Sequence, residues 1–434
     1  MMQDNKTRVH YSLYGRMLSK QALYEAYTKV KKNRGAAGID GQSIGAFTQN
    51  VDNELDTLLL ELKEKRYQAQ PVKRVEIDKD DGGKRLLGIP TVRDRIVQQC
   101  LTNIMTPIFD PYFHPSSYGY RVGRSCHQAI SKATLFIRKY GKRHVVDMDL
   151  SKCFDMLDHD LIIKCVRKRI TDGSILHLIG MFLKSGVMVG SNWQESELGS
   201  PQGGVISPLL ANIYLDEFDQ EMMKRKHRIV RYADDILIFC TSQSGADNAL
   251  KVASHILEVT LKLKVNEDKT HIAHSSNGVK FLGVIIGDNY TRIQEKKLKG
   301  LKEKVKQITK RNGGVNLATV LQRLNPVLRG FTNYFKIANI STILKRLATW
   351  IRRRLRSVQL NLWKKATKLH RRLKQLKYEP PFKFIDMSSW RNSASPLASY
   401  ASPLASYAMP NSWFDEIGLY PVGEVKTGVL ASNY

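Results

Sequence analysis

Two groups of aspartates lie in apolar runs, where carboxylates are costly to bury. Asp147 and Asp149 end the run His144-Val145-Val146, and Asp234-Asp235 follow Ile229-Val230-Arg231-Tyr232-Ala233. A buried carboxylate persists mainly where a cation or hydrogen bonds compensate it. Hard Mg²⁺ prefers oxygen ligands and is usually held by a few carboxylates. The pattern therefore predicts a magnesium site at Asp149, Asp234 and Asp235.

Such a site suits phosphoryl transfer. Two ions about 3.5 to 4 Å apart can activate a primer 3′-hydroxyl and stabilise departing pyrophosphate, as in polymerases. Mn²⁺ is the expected substitute for Mg²⁺. Adjacent aspartates also occur at strand ends and in turns, and from these residues alone that alternative stays open.

Strands and helices alternate around these aspartates, which predicts an α+β domain. Before it, Ser19 is placed to cap a helix with Leu23, Tyr27 and Val30 on one face, and a second helical pattern spans 55–62. The β-rich runs cover 72–77, 144–150, 229–240 and 279–286.

The charge distribution indicates a polyanionic partner. The chain has 69 basic and 40 acidic residues, a formal charge of +29. Residues 291–378 hold 25 lysines and arginines but only Glu295 and Glu303, a local charge of +23. One basic helix is usually a solvated surface, but a segment this long with two acids favours nucleic acid. No apolar run approaches the ~20 residues that span a bilayer, so no membrane partner is expected.

Several further blocks follow a recognisable order. The segment 199–208 combines glycines with Gln202 before a helical run, and its backbone is expected to approach a nucleotide closely. Together with the two acidic groups, the order resembles the reverse transcriptases of bacterial group II introns, also called maturases, from about Leu23 to Leu355. The blocks that carry the resemblance are 80–90, 117–121, 149–155, 199–208, 232–235, 263–270 and 281–283.

The resemblance implies roles around the metal site. Asp149, Asp234 and, less directly, Asp235 supply the metal carboxylates, with the Leu150 carbonyl as an extra ligand. Phe154 is the implied steric gate, because a ring against the sugar C2′ excludes a 2′-hydroxyl. The alternative for Phe154 is a core phenylalanine.

The resemblance also implies how substrates are held. Lys79, Arg85 and Gln202 contact the deoxynucleoside triphosphate, and Lys269 protonates the departing pyrophosphate unless it is only a surface lysine. Residues Phe281, Leu282 and Gly283 form the primer grip.

The chain departs from the family pattern in two places. The family usually has prolines where this chain has Asp78, Asp80 and Leu86, so the finger loop is expected to be looser and more acidic. It usually has Phe and Pro where this chain has Tyr120 and Val122.

The segment 324–335 resembles the maturase-specific region, which forms the thumb and binds RNA. For the aromatic side chains Tyr334, Phe335 and Trp350 we favour a core position over base stacking. The RNA-binding residues expected here and in the fingers are Arg121, Arg329, Tyr334, Lys336, Arg352, Arg353, Arg354 and Arg356.

The implied fold is a right-hand polymerase of fingers, palm with an antiparallel sheet, and helical thumb. We expect an N-terminal helical extension and the start of the fingers in 1–72, reverse transcriptase fingers and palm in 73–287, a thumb and maturase RNA-binding region in 288–378, and a loosely structured tail in 379–434. The tail repeats SPLASYA at 395–401 and 402–408, and no residue after His370 is His or Cys, so no HNH endonuclease is expected.

The expected function is RNA-directed DNA synthesis together with group II intron maturase activity in splicing and mobility. The expected partners are group II intron RNA, an RNA template with a DNA primer, a DNA target site and deoxynucleoside triphosphates. The expected location is the bacterial cytoplasm, with the nucleoid when the protein acts on DNA. Two alternatives stay open: an RNA-binding splicing cofactor with a dispensable polymerase centre, and a host-adopted repair polymerase.

Overall fold

The computed structural model describes residues 8–78, 83–189, 192–194, 198–199, 203–378 and 403–428. The chain divides into two compact units, Met1–Ser275 and Ser276–Tyr434, here called the N-terminal and C-terminal units. Lys79, Asp80 and Gln202 lie outside the described residues, as do the first SPLASYA copy and the side chain of Arg85.

The N-terminal unit begins with helices, as predicted. Helix α1 (Lys20–Asn33) starts after Ser19, whose hydroxyl accepts a hydrogen bond from the Ala22 amide at 3.1 Å. Its buried face includes Leu23, Tyr27 and Val30. Helices α2 (Ile44–Gln49) and α3 (Val51–Lys63) follow.

A mixed four-stranded sheet comes next, in the order β2-β1-β4-β5. Strands β1 (Val72–Asp78) and β2 (Lys84–Ile89) are antiparallel, and β4 (Val187–Val189) pairs with β1 in parallel and with β5 (Asn192–Gln194) antiparallel. The helices in this part of the unit are α4 (Val92–Phe109), α5 (Cys126–Arg138), α6 (His159–Arg167) and α7 (Gly173–Lys184).

A second sheet, in the order β6-β7-β3-β8, carries both acidic groups. Its strands are all antiparallel: β3 (His144–Met148), β6 (Arg228–Tyr232), β7 (Asp235–Cys240) and β8 (His271–His274). Helix α8 (Ser207–Lys224) lies between β3 and β6 in sequence, and α9 (Gln243–His255) follows β7 and continues into a π-helical turn, Ile256–Thr260. The predicted antiparallel sheet is confirmed.

The predicted strand at 229–240 is not continuous. Tyr232 pairs with Asp235, and Ala233 between them has φ of +59°, so the chain reverses in a tight hairpin. Positive φ is unusual for a residue with a side chain and marks this turn as a constrained position. We call Tyr232–Asp235 the acidic hairpin.

The C-terminal unit combines a small sheet with helices. Strands β9 (Val279–Phe281), β10 (Val284–Ile286) and β11 (Thr291–Ile293) form an antiparallel sheet, followed by α10 (Glu295–Ile308), α11 (Leu317–Phe335), α12 (Ser341–Trp363) and α13 (Ala366–Gln375). The Asn339 amide donates to the Thr291 carbonyl at 2.6 Å, and the Thr291 amide donates to Asn339 Oδ1 at 3.0 Å. These bonds tie the small sheet to the loop between α11 and α12 within the C-terminal unit.

The expectation of a loosely structured tail is wrong for residues 403–428. The second SPLASYA copy forms helix α14 (Pro403–Ala408), and α15 (Asn411–Glu416) follows, with Phe414 fully buried. The Arg356 guanidinium donates to the Met409 carbonyl at 3.0 and 2.9 Å. Apolar side chains and this buried cation hold the segment against α12. Within the described residues, no helix has the length and apolar character needed to span a membrane.

Candidate active site

The acidic hairpin and the end of β3 bring the predicted carboxylates to one edge of the sheet. Met148 pairs with Ile236, so Asp149 leaves β3 beside the strand that begins at Asp235. Asp149 and Asp234 are half-buried, whereas Asp235 is exposed. The sheet register therefore makes neighbours of carboxylates that are far apart in sequence.

Mutual repulsion is visible at Asp235. Loss of surrounding water and, after it, the charges of Asp234, Asp147 and Asp149 together raise the pKa of its carboxyl to about 7, while Lys269 opposes them. A cation placed here would relieve this repulsion.

Asp149 is fixed by the segment after the π-helical turn. Its amide donates to Thr270 Oγ1 at 3.2 Å, its carbonyl accepts from the Asn266 amide at 2.9 Å, and its Oδ2 accepts from Asn266 Nδ2 at 3.1 Å. Lys269 Nζ lies 3.5 Å from Asp149 Oδ2. The sequence indicated Lys269, but it did not indicate that Asn266 and Thr270 would orient the carboxylate.

The donor set fits a divalent cation. Three carboxylates that repel one another supply hard oxygen ligands, and Leu150 follows Asp149 in a bridge with Val265. In the part of the chain that the structure describes, no three His, Cys, Asp or Glu side chains are grouped closely enough to hold a metal ion. The carboxylate chemistry therefore suits a divalent cation, and the structure defines no coordination for one.

Phe154 lies in a short 3₁₀ turn, Cys153–Asp155, that follows Lys152 at φ of +48°. Its ring is half-buried and meets the edge of Tyr120, with ring centroids 6.2 Å apart and planes at 78°. Tyr120 is itself 58% exposed and has φ of +57°. Phe154 is therefore only partly a core residue, and its role as the gate stays a prediction.

Two glycines of segment 199–208 allow close contacts within the protein. A Cβ on Gly203 would lie 2.3 Å from the Gly88 carbonyl oxygen, and one on Gly199 would lie 2.8 Å from the Asp155 backbone. Both also have positive φ, of +118° and +89°. These glycines let protein backbone pack against protein backbone, and the approach of this segment to a nucleotide stays a prediction.

A buried polar network behind the acidic hairpin escaped the sequence analysis. Arg231 and Asp219 are both fully buried, with Nε 2.9 Å from each carboxylate oxygen and Nη2 2.7 Å from Oδ2. Arg231 Nη1 donates to Asn212 Oδ1 and to the Ala233 carbonyl, both at 3.0 Å. The available signal was an arginine inside the apolar run 229–232, where an uncompensated cation would be costly.

Two of the predicted RNA-binding arginines are buried. Arg121 Nε donates to Asp110 Oδ1 at 2.7 Å, and its other nitrogens donate to Asp110 and to backbone carbonyls. Arg356 donates to Met409 and lies 5.2 Å from the centre of the Phe414 ring. Both guanidinium groups therefore make their hydrogen bonds inside the protein, and neither is among the RNA contacts proposed below.

The other predicted cations differ in exposure. Arg329, Lys336 and Arg353 are exposed, and Arg352 is half-buried. Arg354 is half-buried, and its Nε donates to Thr309 Oγ1 at 2.6 Å. Tyr334 is half-buried with its hydroxyl donating to the Leu282 carbonyl at 2.9 Å, which agrees with a core position.

The hydrogen bond from the Tyr334 hydroxyl to the Leu282 carbonyl also holds the predicted primer grip, Phe281, Leu282 and Gly283. Phe281 is buried, while Leu282 and Gly283 turn between β9 and β10 with φ of +45° and +82°. The Gly283 carbonyl accepts from the Gln294 amide at 3.0 Å. The three residues form a firmly held hairpin turn in the C-terminal unit.

Comparisons with known proteins agree with this arrangement. Residues 77–286 match the family "Reverse transcriptase (RNA-dependent DNA polymerase)", and residues 298–378 match "Group II intron, maturase-specific domain". Protein YkfC of Escherichia coli strain K12 is 36% identical over 300 residues, covering 60% of this chain and 79% of YkfC. The group II intron-encoded protein LtrA of Lactococcus lactis is 30% identical over 390 residues, covering 74% of this chain and 63% of LtrA.

The chain belongs to the group II intron-encoded reverse transcriptases, which confirms the predicted family and right-hand α+β fold. It is an RNA-directed DNA polymerase with a maturase-specific domain, from a family that uses divalent metal ions and acts on RNA. The chain is also similar to a solved telomerase from Candida albicans, at 15% identity and a TM-score of 0.42. This match covers 68% of the present chain and 62% of the telomerase chain.

Proposed function

We propose that the protein copies an RNA template into cDNA from a DNA primer by two-metal phosphoryl transfer at Asp149, Asp234 and Asp235. The observation that supports this most is the convergence of carboxylate charge on Asp235. When bound, two Mg²⁺ ions would activate the primer 3′-hydroxyl and neutralise the leaving pyrophosphate, and Mn²⁺ would substitute. The Leu150 carbonyl is the proposed additional ligand.

The surrounding residues have separate proposed tasks. Asn266 and Thr270 orient Asp149, and Lys269 donates a proton toward the departing pyrophosphate. The half-buried ring of Phe154 excludes a 2′-hydroxyl. Lys79, Arg85 and Gln202 contact the incoming triphosphate, and the Phe281–Gly283 turn contacts the primer.

We further propose that the basic C-terminal unit binds group II intron RNA, assists splicing and, with a DNA target site, supports intron mobility. Arg329, Lys336, Arg352 and Arg353 are the proposed phosphate contacts, because their side chains are exposed or half-buried at the surface of basic helices. We propose the bacterial cytoplasm as the location of the protein, with the nucleoid when it acts on DNA, because the proposed partners would be found there. A splicing cofactor with a dispensable polymerase centre, or a host-adopted repair polymerase, is the competing function.

The substitution Asp234→Asn separates these functions. Losing a metal carboxylate should remove several kcal/mol of transition-state stabilisation, which slows cDNA synthesis on a primed RNA template by about a thousandfold or more. Splicing of the cognate intron should persist, because the basic helices are unchanged. Asp247→Asn, at an exposed site on α9, is the matched control and should retain both activities. No cDNA from the parent protein would refute the polymerase proposal.

A further inference from the structure

The segment Ser117–Arg121, here the Tyr120 loop, is fastened to the acidic hairpin by backbone contacts. The Tyr118 amide donates to the Arg231 carbonyl, and the Arg231 amide donates to the Ser116 carbonyl, both at 2.9 Å. At Gly119 the two backbones touch, since a Cβ there would lie 2.3 Å from the Ala233 nitrogen. Movement of the loop and of the hairpin is therefore linked.

One buried amide on α8 holds both partners. Asn212 is 1% exposed, and its Nδ2 donates to the Gly119 carbonyl at 2.8 Å. Its Oδ1 accepts from Arg231 Nη1, the same nitrogen that donates to the Ala233 carbonyl. To bind the Gly119 carbonyl and the Arg231 guanidinium at the same time, a short side chain needs one donor and one acceptor, and an amide has both.

The Tyr120 loop in turn supports Phe154. Gly119 is held by Asn212 on one side of Tyr120, and on the other Arg121 is held by Asp110 and by the carbonyls of His114 and Ser117. Tyr120 lies between these two anchors and meets the Phe154 ring edge to face. The position of the Phe154 ring therefore depends on where the loop is held.

We propose that Asn212 is a positioning residue that couples the acidic hairpin to the Phe154 gate, so that metal-binding carboxylates and sugar selection share one anchor. The inference rests on the proposed function, because it takes Asp234 as a metal ligand and Phe154 as the gate. A shift of about 1 Å in such a support can cost on the order of 10²-fold in rate.

The test uses Asn212→Asp and Asn212→Leu in the full chain. The aspartate keeps an acceptor for Arg231 but sets a carboxylate oxygen against the Gly119 carbonyl, so the loop should move while the hairpin stays. The ratio of kcat/KM for deoxynucleotides to kcat/KM for ribonucleotides should fall by about tenfold or more. The kcat/KM for deoxynucleotides itself should fall by less than this ratio does. The leucine removes both anchors and should reduce rate and discrimination together.

Three further variants keep the inference open to refutation if the Asn212 variants fold poorly. Gly119→Ala puts a methyl group against the Ala233 nitrogen and should push the Tyr120 loop away from the acidic hairpin. It should therefore lower both the rate of deoxynucleotide incorporation and the discrimination against ribonucleotides. Tyr214→Phe, on the same helix, loses a buried hydroxyl bond to the Leu261 carbonyl without touching the network, and should lower thermal stability only. Phe154→Ala reports on the gate itself.

The outcomes are distinguishable. Loss of discrimination in Phe154→Ala, Asn212→Asp and Gly119→Ala but not in Tyr214→Phe supports the coupling. If Phe154→Ala loses discrimination while folded Asn212→Asp and Gly119→Ala retain it, the coupling is refuted and the gate stands. Unchanged discrimination in Phe154→Ala refutes the gate, and the coupling with it.

Discussion

Replacing Asp219 by leucine should destabilise the protein by about 3 to 5 kcal/mol, because it leaves the Arg231 guanidinium buried and unpaired. Both side chains are fully buried, and the carboxylate accepts three N–H contacts of 2.7 to 2.9 Å. Asp219→Leu therefore removes one fully buried ion pair, the one between Asp219 and Arg231.

Arg231 cannot avoid the cost by losing its proton. Burial alone lowers the pKa of its guanidinium, but the charges and hydrogen bonds of Asp219, with Asp216 nearby, raise the pKa above its ordinary value. Without Asp219 the cation remains, because an arginine side chain stays protonated in proteins. For a unit of this size, the expected loss lowers Tm by roughly 6 to 20 °C.

Urea and thermal unfolding of the variant measure this loss. Glu217→Gln on the same helix is the matched control, since its pair with Lys168 is partly exposed and should contribute under about 1 kcal/mol. A cost in Asp219→Leu no greater than in this control would refute the reasoning.

The double variant Arg231→Met, Asp219→Leu separates stability from positioning. It should recover part of the lost stability, because no buried charge remains. Recovery stays incomplete, since Asn212 Oδ1 and the Ala233 carbonyl lose their donor at about 1 to 3 kcal/mol each. Polymerase activity should stay low even where the fold is restored. Full activity in the double variant would show that Arg231 does not position the hairpin.

Three further predictions concern other parts of the molecule. Arg353→Ala should reduce the salt dependence of intron RNA binding by about one unit of log–log slope, measured by filter binding, and Arg356→Lys should not change that slope. Because the Asp235 carboxyl has a pKa of about 7, it is protonated below that pH, so half-maximal activity should need more Mg²⁺ at pH 6 than at pH 8; equal requirements would contradict this. Phe414→Ala should cost about 3 to 5 kcal/mol in urea unfolding, whereas exposed Glu416→Ala should cost little.

Local pattern was sufficient for most of the helices and strands. The Ser19 cap, the buried face of α1 and the strand at β3 follow from short-range periodicity and capping, which depend on neighbouring residues only. The reversal at Ala233 was not indicated, because alanine at positive φ has no sequence signature. The folded tail was missed for a related reason, since a duplicated Ser- and Ala-rich stretch gives a weak helical pattern.

The sequence by itself determined the family and the chemistry. The ordered blocks, the three aspartates and the charge of residues 291–378 are properties of residue type and order, and together they point to a polymerase that acts on RNA. The tertiary structure decided which polar groups serve the surface and which serve the interior.

Arg353 and Arg356 differ by three positions in one basic helix, yet one faces solvent and the other is enclosed by Met409 and Phe414. Likewise, Arg231 is a structural ion in the core although it precedes the acidic hairpin. Burial and partners of a charge depend on segments distant in sequence, and only the folded chain brings those segments together.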